Sequence, residues 1–252
     1  MNKESKEFGD SIKWVGNSYT NKSSRRNHTP KMICNHITEG TTGSCVNWFT
    51  SGSNYVSSAH FLVAKNGTVY QFVDIEDAAW TNGLARKNIH KSTSALVRSI
   101  NCSPNWYSVT VEHAGVWSST KGKLTKAQLK ASIMLEKYII AYVEDTYKHT
   151  IEADREHILG HYEISPVRKV NCPGQKFQFK ELIEGINKKK EQVLKMSDLR
   201  KILEIKECKW ADPEIDLAIE YGLLTQDHKS DEIVTLGVLM TILNRMYEKF
   251  NQ

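Results

Sequence analysis

The spacing of apolar and polar positions marks out strands and helices along most of the chain. Lys31 to Ile37 carries Met32, Ile33 and Ile37 and runs into the Thr/Gly-rich stretch Thr38 to Ser44. It predicts a short buried strand ending at a loop, where a side chain can face a cleft. Ser58 to Ala64 and Thr68 to Val73 are rich in β-formers and flank Asn66-Gly67, the dipeptide of a tight hairpin turn. Tyr107 to His113 reads as a further strand. Its period-two alternation puts Ser108, Thr110 and Glu112 on one face and Val109, Val111 and His113 on the other. Glu112 and His113 therefore point in opposite directions.

Helical periodicity begins at Leu124. Thr125 and Gln128 form a capping-box start, and Leu129, Ile133, Ile139, Tyr142 and Val143 follow at helical spacing, which predicts the main helix over the sheet from Leu124 to His149. Asp154 to Leu159 reads as a short helix stopped near Gly160, His161 to Gly174, with two prolines, as an ordered loop, and Phe177 to Ile186 as a closing helix. The expected fold class is α/β, a central mixed β-sheet flanked by helices, with a small all-α C-terminal domain. The cationic run Asn187 to Gln192 marks the boundary. The expected division is a catalytic domain over 1–186, a linker over 187–196 and a helical domain over 197–252. Helices are expected there at Ser197 to Ile205, at Asp212 to Tyr221 with Pro213 in the first turn and Gly222 as the stop, and at Thr235 to Phe250.

A chain of 252 residues is long enough for one well-buried core and a smaller appendage. The polar start MNKESKEFGD lacks the apolar centre of a secretory signal, and no apolar run approaches the roughly 20 residues that cross a bilayer. The expectation is a chain made in the cytoplasm, with no membrane insertion. Five scattered cysteines, an odd number, do not form the framework of a disulfide-stapled domain. A net charge of +5 favours polyanionic surroundings. Nucleic acid, anionic membrane and teichoic-acid-rich wall all qualify, but no basic-aromatic motif supports nucleic acid.

Three residues stand out as zinc-ligand types: His36 at a strand end, His161 just past Gly160, and Cys172 in Asn171-Cys172-Pro173-Gly174. Two imidazoles and a thiolate leave one tetrahedral position open for water, the pattern of a catalytic zinc site. Singly each is an ordinary residue, and composition does not pick these three from nine histidines and five cysteines. His157 and His161 are spaced i, i+4, but Gly160 interrupts that helix and no His-Glu-x-x-His motif is present.

The neighbours of these residues carry a resemblance. Ile33-Cys34-Asn35-His36, Ser58 to Val63, Asn66 to Gln71, Ala79-Trp80-Thr81-Asn82-Gly83, Ser108 to Glu112, Gly160-His161-Tyr162-Glu163 and Cys172-Pro173-Gly174 occur in this order. From about Met32 to Phe179 the chain resembles the N-acetylmuramoyl-L-alanine amidases shared by phage endolysins, bacterial autolysins and animal peptidoglycan recognition proteins. The resemblance implies one Zn2+ ion on His36, His161 and Cys172, with Glu112 as the acid/base group. It implies Lys169 on the oxyanion, although Val170 and Asn171 intervene before Cys172 and Arg168 competes for that role. His60 and Trp80 are expected on the cleft wall against substrate, and Thr81 stands where many relatives carry histidine. Peptidoglycan is the implied substrate and the cell wall the place of action, reached after release as in phage lysis.

Two rivals stand beside this expectation: a non-catalytic recognition module, and a zinc peptidase cutting within the stem peptide. Trp210 to Leu224 with Thr235 to Tyr247 resembles one unit of the surface-layer-homology-like helical modules that end some phage and clostridial amidases. That resemblance implies attachment to teichoic acid or another wall polymer, with homodimerisation as the alternative.

Overall fold

The runs Met32–Ile37 and Ser108–His113, buried along their whole length, lie side by side inside one sheet. In the computed structural model, which describes Met1 and residues 3–188, the chain passes through α1 (Lys3–Asp10), β1 (Lys13–Trp14), β2 (Lys22–Ser24), β3 (Met32–Ile37), α2 (Thr42–Phe49), β4 (Phe61–Val63), β5 (Val69–Gln71) and β6 (Asp77–Ala79). It continues through α3 (Ala95–Ile100), β7 (Ser108–His113), α4 (Trp117–Thr120), α5 (Lys126–Tyr147), β8 (Ile158–Gly160), α6 (His161–Ile164) and α7 (Phe179–Asn187). Six strands form a mixed sheet in the order β1-β5-β4-β7-β3-β8, and β2 pairs antiparallel with β6 apart from it. Only β4 and β5 run antiparallel within the large sheet, joined by the expected turn, in which Thr68 N–H donates to Asn66 Oδ1. The other pairings are parallel.

Both faces of the sheet are covered, which is why every residue of β3 and β7 is buried. On one face Ile33, Phe61, Val63, Val109 and Val111 pack against Leu135, Ile139 and Val143 of α5. Each such side chain contributes about 1.5–3 kcal/mol by leaving water. On the other face Met32, Cys34, Tyr107 and Leu159 pack with Ile89, Val97 and Ile164. The capping box of α5 is formed reciprocally: Thr125 Oγ1 accepts from Gln128 N–H, and Gln128 Oε1 accepts from Thr125 N–H.

A buried polar stripe interrupts the apolar face of α5 at Gln128, Ser132 and Glu136, one turn apart. Gln128 Nε2 donates to the carbonyls of Val63 and Ala114. Ser132 Oγ meets Nε2 of His113 at 2.9 Å, and Nδ1 of His113 reaches the carbonyl of His36 at 3.0 Å. A carbonyl only accepts, so the proton of His113 sits on Nδ1 and the serine donates to Nε2. Glu136 faces Asn35, whose amide favours the ionised form, yet neither carboxyl oxygen has a hydrogen-bond partner. Burial prevails and pushes its pKa up to about 8.

Two expectations change. Asp154 to Leu159 is not a helix: Asp154 Oδ1 accepts from the N–H groups of Glu156 and His157 and makes a turn, after which Ile158, Leu159 and Gly160 pair with Ile33, Cys34 and Asn35. Burial of Ile158 and Leu159 against the sheet overrides their local helical signal. His161 to Gly174 is a loop only after a first helical turn, α6. The compact unit described here ends at Lys188. The remainder of the expected linker and the helices expected within 197–252 lie outside the described residues.

The Glu136 carboxyl gives the fold a pH signature. Its folded pKa lies above the ordinary value of 4.5, so the folded state holds a proton that the unfolded state releases. Its stability contribution is complete below about 4.5 and is lost as pH rises toward 8, at up to about 1.4 kcal/mol per pH unit. Glu136→Gln is expected to flatten this decline in urea-unfolding curves between pH 5 and pH 9. Parallel curves for both proteins would contradict it.

Candidate metal centre

The ladder of β3 with its two parallel neighbours builds the centre. Asn35 pairs with Gly160, so His36 and His161, each one residue further on, emerge side by side. On the other flank His36 pairs with Glu112. Adjacent strands lie about 4.8 Å apart, and alternation turns His36, as it does Cys34 and Met32, to the face carrying Ser108, Thr110 and Glu112. The imidazoles of His36 and His161 meet edge to face with centroids 4.5 Å apart. The start of α6 is pinned by Glu163, whose Oε2 accepts from Gly160 N–H at 2.8 Å and from Arg155 at 2.6 Å.

Cys172 closes the group from a distant part of the chain. Its carbonyl accepts from Tyr162 N–H at 2.9 Å, and its Sγ lies 3.4 Å from Ile37 N and 3.7 Å from His36 Nδ1. The following Pro173-Gly174 explains how it is held there. Gly174 has φ +124°, and a Cβ on it would meet the Lys121 carbonyl oxygen at 2.3 Å, so only glycine lets the loop clasp the turn at Lys121-Gly122. Gly160 has the same kind of duty, because a Cβ there would lie 2.8 Å from Pro173.

His36, His161 and Cys172 thus present ligand atoms all within 4.8 Å of one another. Burial, then His161 and Lys169, holds His36 well below the usual imidazole range. His161 is lowered to about 3 by burial, Lys169 and Arg168. Both rings are therefore neutral with lone pairs to offer. The Cys172 thiol is pushed up to about 12 by burial and the Glu112 carboxyl, against Ile37 N–H and Lys169. Only a cation beside it would make it a thiolate at neutral pH. Two neutral imidazoles and a thiol converging in a buried cluster fit a zinc ion with one position left open.

Glu112 stands beside them with Oε2 buried and without a partner. Burial raises its pKa to about 8, and the charge of Lys169 opposes the rise. Lys169 acts on four groups of the centre, His36, Glu112, His161 and Cys172, whereas Arg168 acts on His161. Lys169 is exposed, at the end of a turn in which its N–H donates to Ser165 O and its carbonyl accepts from Cys172 N–H.

The two expected cleft-wall residues separate. Trp80, just after β6, has 36% of its surface exposed. His60 has none and cannot touch a substrate. Thr110 N–H donates to His60 Nδ1 at 3.1 Å, which leaves the proton on Nε2, 3.0 Å from Asp77 O. The buried guanidinium of Arg25 lies against the same ring and donates to the carbonyls of Ile75, Trp106 and Ser108. His60 is a structural hinge-pin between the small sheet and the large one, and burial with Arg25 lowers its pKa to about 3. His157, set aside as a ligand, bonds to Asp154 at 2.8 Å.

One contributor carried no signal of its own in the sequence. Asn82, fully buried, sits beside the His36 ring, and Asn82 Oδ1 and His36 Nε2 are both buried without a hydrogen-bond partner. Its Nδ2 donates to Ser108 Oγ and its N–H to Asn105 Oδ1. A hydrogen bond from His36 Nε2–H to the Asn82 amide oxygen would keep the proton there and leave Nδ1, on the Cys172 side, free to coordinate. Asn82 lies inside the Trp80-to-Gly83 segment, but nothing in its residue type points to the metal.

The fold and the centre define an α/β protein with a His-His-Cys metal site. The profile described as N-acetylmuramoyl-L-alanine amidase matches residues 26–175, more than half of the chain. The chain belongs to that family. It is 28% identical over 129 residues to the 1,6-anhydro-N-acetylmuramyl-L-alanine amidase AmpD of Haemophilus influenzae, a match covering 51% of this chain and 58% of that protein, less than two thirds of the relative's length. Among solved structures, a selenomethionine AmpD derivative superposes with a TM-score of 0.53 at 18% identity, over 70% of this chain and 95% of that one. The likeness is one of fold. The endolysin amidase LysCS of Clostridium intestinale gives a TM-score of 0.46 at 18% identity, over 71% and 96%.

Zinc affinity, measured by competition with a chromogenic chelator, is expected to disappear in Cys172→Ala and to weaken about 10- to 100-fold in Asn82→Ala. Unchanged affinity in the second variant would remove Asn82 from the support of His36.

Proposed function

We propose that this chain is a zinc-dependent N-acetylmuramoyl-L-alanine amidase, hydrolysing the amide between N-acetylmuramic acid and L-alanine of peptidoglycan at the cell wall. The observation that carries the reading is the convergence of His36, His161 and Cys172 within 4.8 Å, with Glu112 paired to His36 in the next strand. A zinc ion held by these three residues would supply Lewis acidity toward the amide carbonyl and a water of lowered pKa.

Glu112 takes a proton from the attacking water and passes it to the departing nitrogen as the carbon–nitrogen bond breaks. The products are the free lactyl carboxyl group and a stem peptide beginning with the amine of L-alanine. Burial raises this carboxyl and the charge of Lys169 opposes the rise, a balance that suits a group which first accepts and then returns a proton. Lys169 places its ammonium group toward the carbonyl oxygen as negative charge develops there. Its influence on four groups of the centre, against one for Arg168, supports giving it this role.

Digestion of purified peptidoglycan, with products identified by mass spectrometry, tests the assignment. Stem peptides beginning with L-alanine, lost on chelation and restored by zinc, are expected. Cuts inside the peptide would make the chain a peptidase, and binding without cleavage a recognition module. Glu112→Gln is expected to retain zinc and lose about 10²- to 10⁴-fold in turnover. Lys169→Ala is expected to lower kcat about 10²-fold; a larger loss in Arg168→Ala would move the oxyanion role to Arg168.

A further inference from the structure

Apart from Trp14 on the edge strand β1, the large exposed aromatic side chains of the described residues lie on segments tied to one another. Tyr19, Trp48, Tyr55 and Trp80 are 61%, 45%, 76% and 36% exposed, and Val56, next to Tyr55, is 72% exposed. Hydrogen bonds and contacts tie their segments together. The Tyr19 ring lies over Gly52. Trp48 Nε1–H donates to Ser57 Oγ at 2.9 Å, and the next residue, Ser58, accepts from Trp80 N–H at 2.8 Å through its own Oγ.

The loop that carries Tyr55 and Val56 is rigidly built. Asn54, almost fully buried, accepts from the N–H groups of Val56 and Ser57 and donates to the carbonyls of Trp48 and Ser57. Asn21 donates to the carbonyls of Asn54 and Ser57, and Asn17 to that of Thr50. Large apolar side chains held in water by an organised frame gain nothing for folding, and their preorganisation favours a partner.

The charge pattern selects the partner. Residues 40–64 contain no Asp, Glu, Lys or Arg, in a chain where 25% of residues are charged. The stretch is instead rich in Ser, Thr and Asn. A polyanion such as teichoic acid would call for Lys or Arg here. A glycan whose lactyl groups are tied up in amide bonds has no charge. Its sugar rings offer C–H faces for Trp and Tyr and a rim of hydroxyl and acetamido groups for Ser, Thr and Asn.

The surface is also continuous with the centre. Helix α2 begins six residues after His36, and Thr81, next to Trp80, lies 3.1 Å from Thr110 through their hydroxyls. Thr110 shares its strand face with Glu112.

We propose that Tyr19, Trp48, Tyr55 and Trp80 form a platform for the glycan strand of peptidoglycan, holding sugars beyond the muramic acid whose amide is cut. The inference rests on the amidase reading for its choice of glycan. Its test uses a ligand with no scissile bond, so the two can fail separately.

Uncharged N-acetylglucosamine oligosaccharides of increasing length, titrated calorimetrically into the full chain, are the probe. Binding that tightens with length and weakens about tenfold or more in Trp48→Ala and in Tyr55→Ala is expected. Tyr55 is mostly in solvent, so its variant keeps the test open if Trp48→Ala disturbs the loop. No binding by the wild-type chain, or equal binding by wild type and Tyr55→Ala, would overturn the platform. So would a monomer–dimer shift in sedimentation of the variants with no change in oligosaccharide affinity, which would make the patch a contact between copies. Release of stem peptides by the wild-type chain reports on the amidase reading independently.

Discussion

The parallel register of β3 with β7 and β8 is the constraint on which the centre depends. It sets Glu112, His36 and His161 in a row on one face of the sheet, because His36 pairs with Glu112 while Asn35 pairs with Gly160 just before His161. A slip of one residue in either ladder would turn the histidine or the carboxyl to the α5 face. The apolar partners of the same strands, Ile33, Val109 and Val111 against Leu135 and Ile139, resist such a slip. The packing that stabilises the sheet thereby also aligns the chemistry.

Behind the row, the polar stripe of α5 supports the same strands. His113, bonded to the His36 carbonyl and to Ser132, points to the α5 side and braces the backbone from which His36 projects. Burial governs the electrostatics on both faces. It keeps His36 and His161 neutral, lifts the Cys172 thiol, and raises the carboxyls of Glu112 and Glu136. The carboxyls nevertheless differ in setting. Glu112 lies under the influence of Lys169 at the centre, whereas Glu136 faces Asn35 within the core.

Much of this was legible along the chain. Alternation in Ser108 to His113 separated Glu112 from His113 correctly, Asn66-Gly67 marked the hairpin, and Thr125 with Gln128 marked the start of α5, because each signal is local. The ligand types at His36, His161 and Cys172 were legible through their neighbours, and the structure brings the three together. The strand at Ile158 to Gly160 was not legible, since three residues have no period of their own and become a strand by pairing with β3. His60 was misplaced on the cleft wall for a related reason: its burial is set by Arg25, Thr110 and Asp77, all distant in sequence. Asn82 is a residue type that recurs throughout the chain, and only its position beside His36 sets it apart.

By itself, then, the sequence determined the hairpin, the capped helix, the facing of each side chain on β7 and the chemical kinds of metal ligand. These follow from backbone sterics and from periodicities that act over a few residues. The tertiary structure alone decided that Gly160 sits beside Asn35, that the Cys172 loop clasps Gly122, and that Asn82 lies beside His36. Those contacts join segments tens of residues apart, and they depend on burial and register that no local stretch of chain contains.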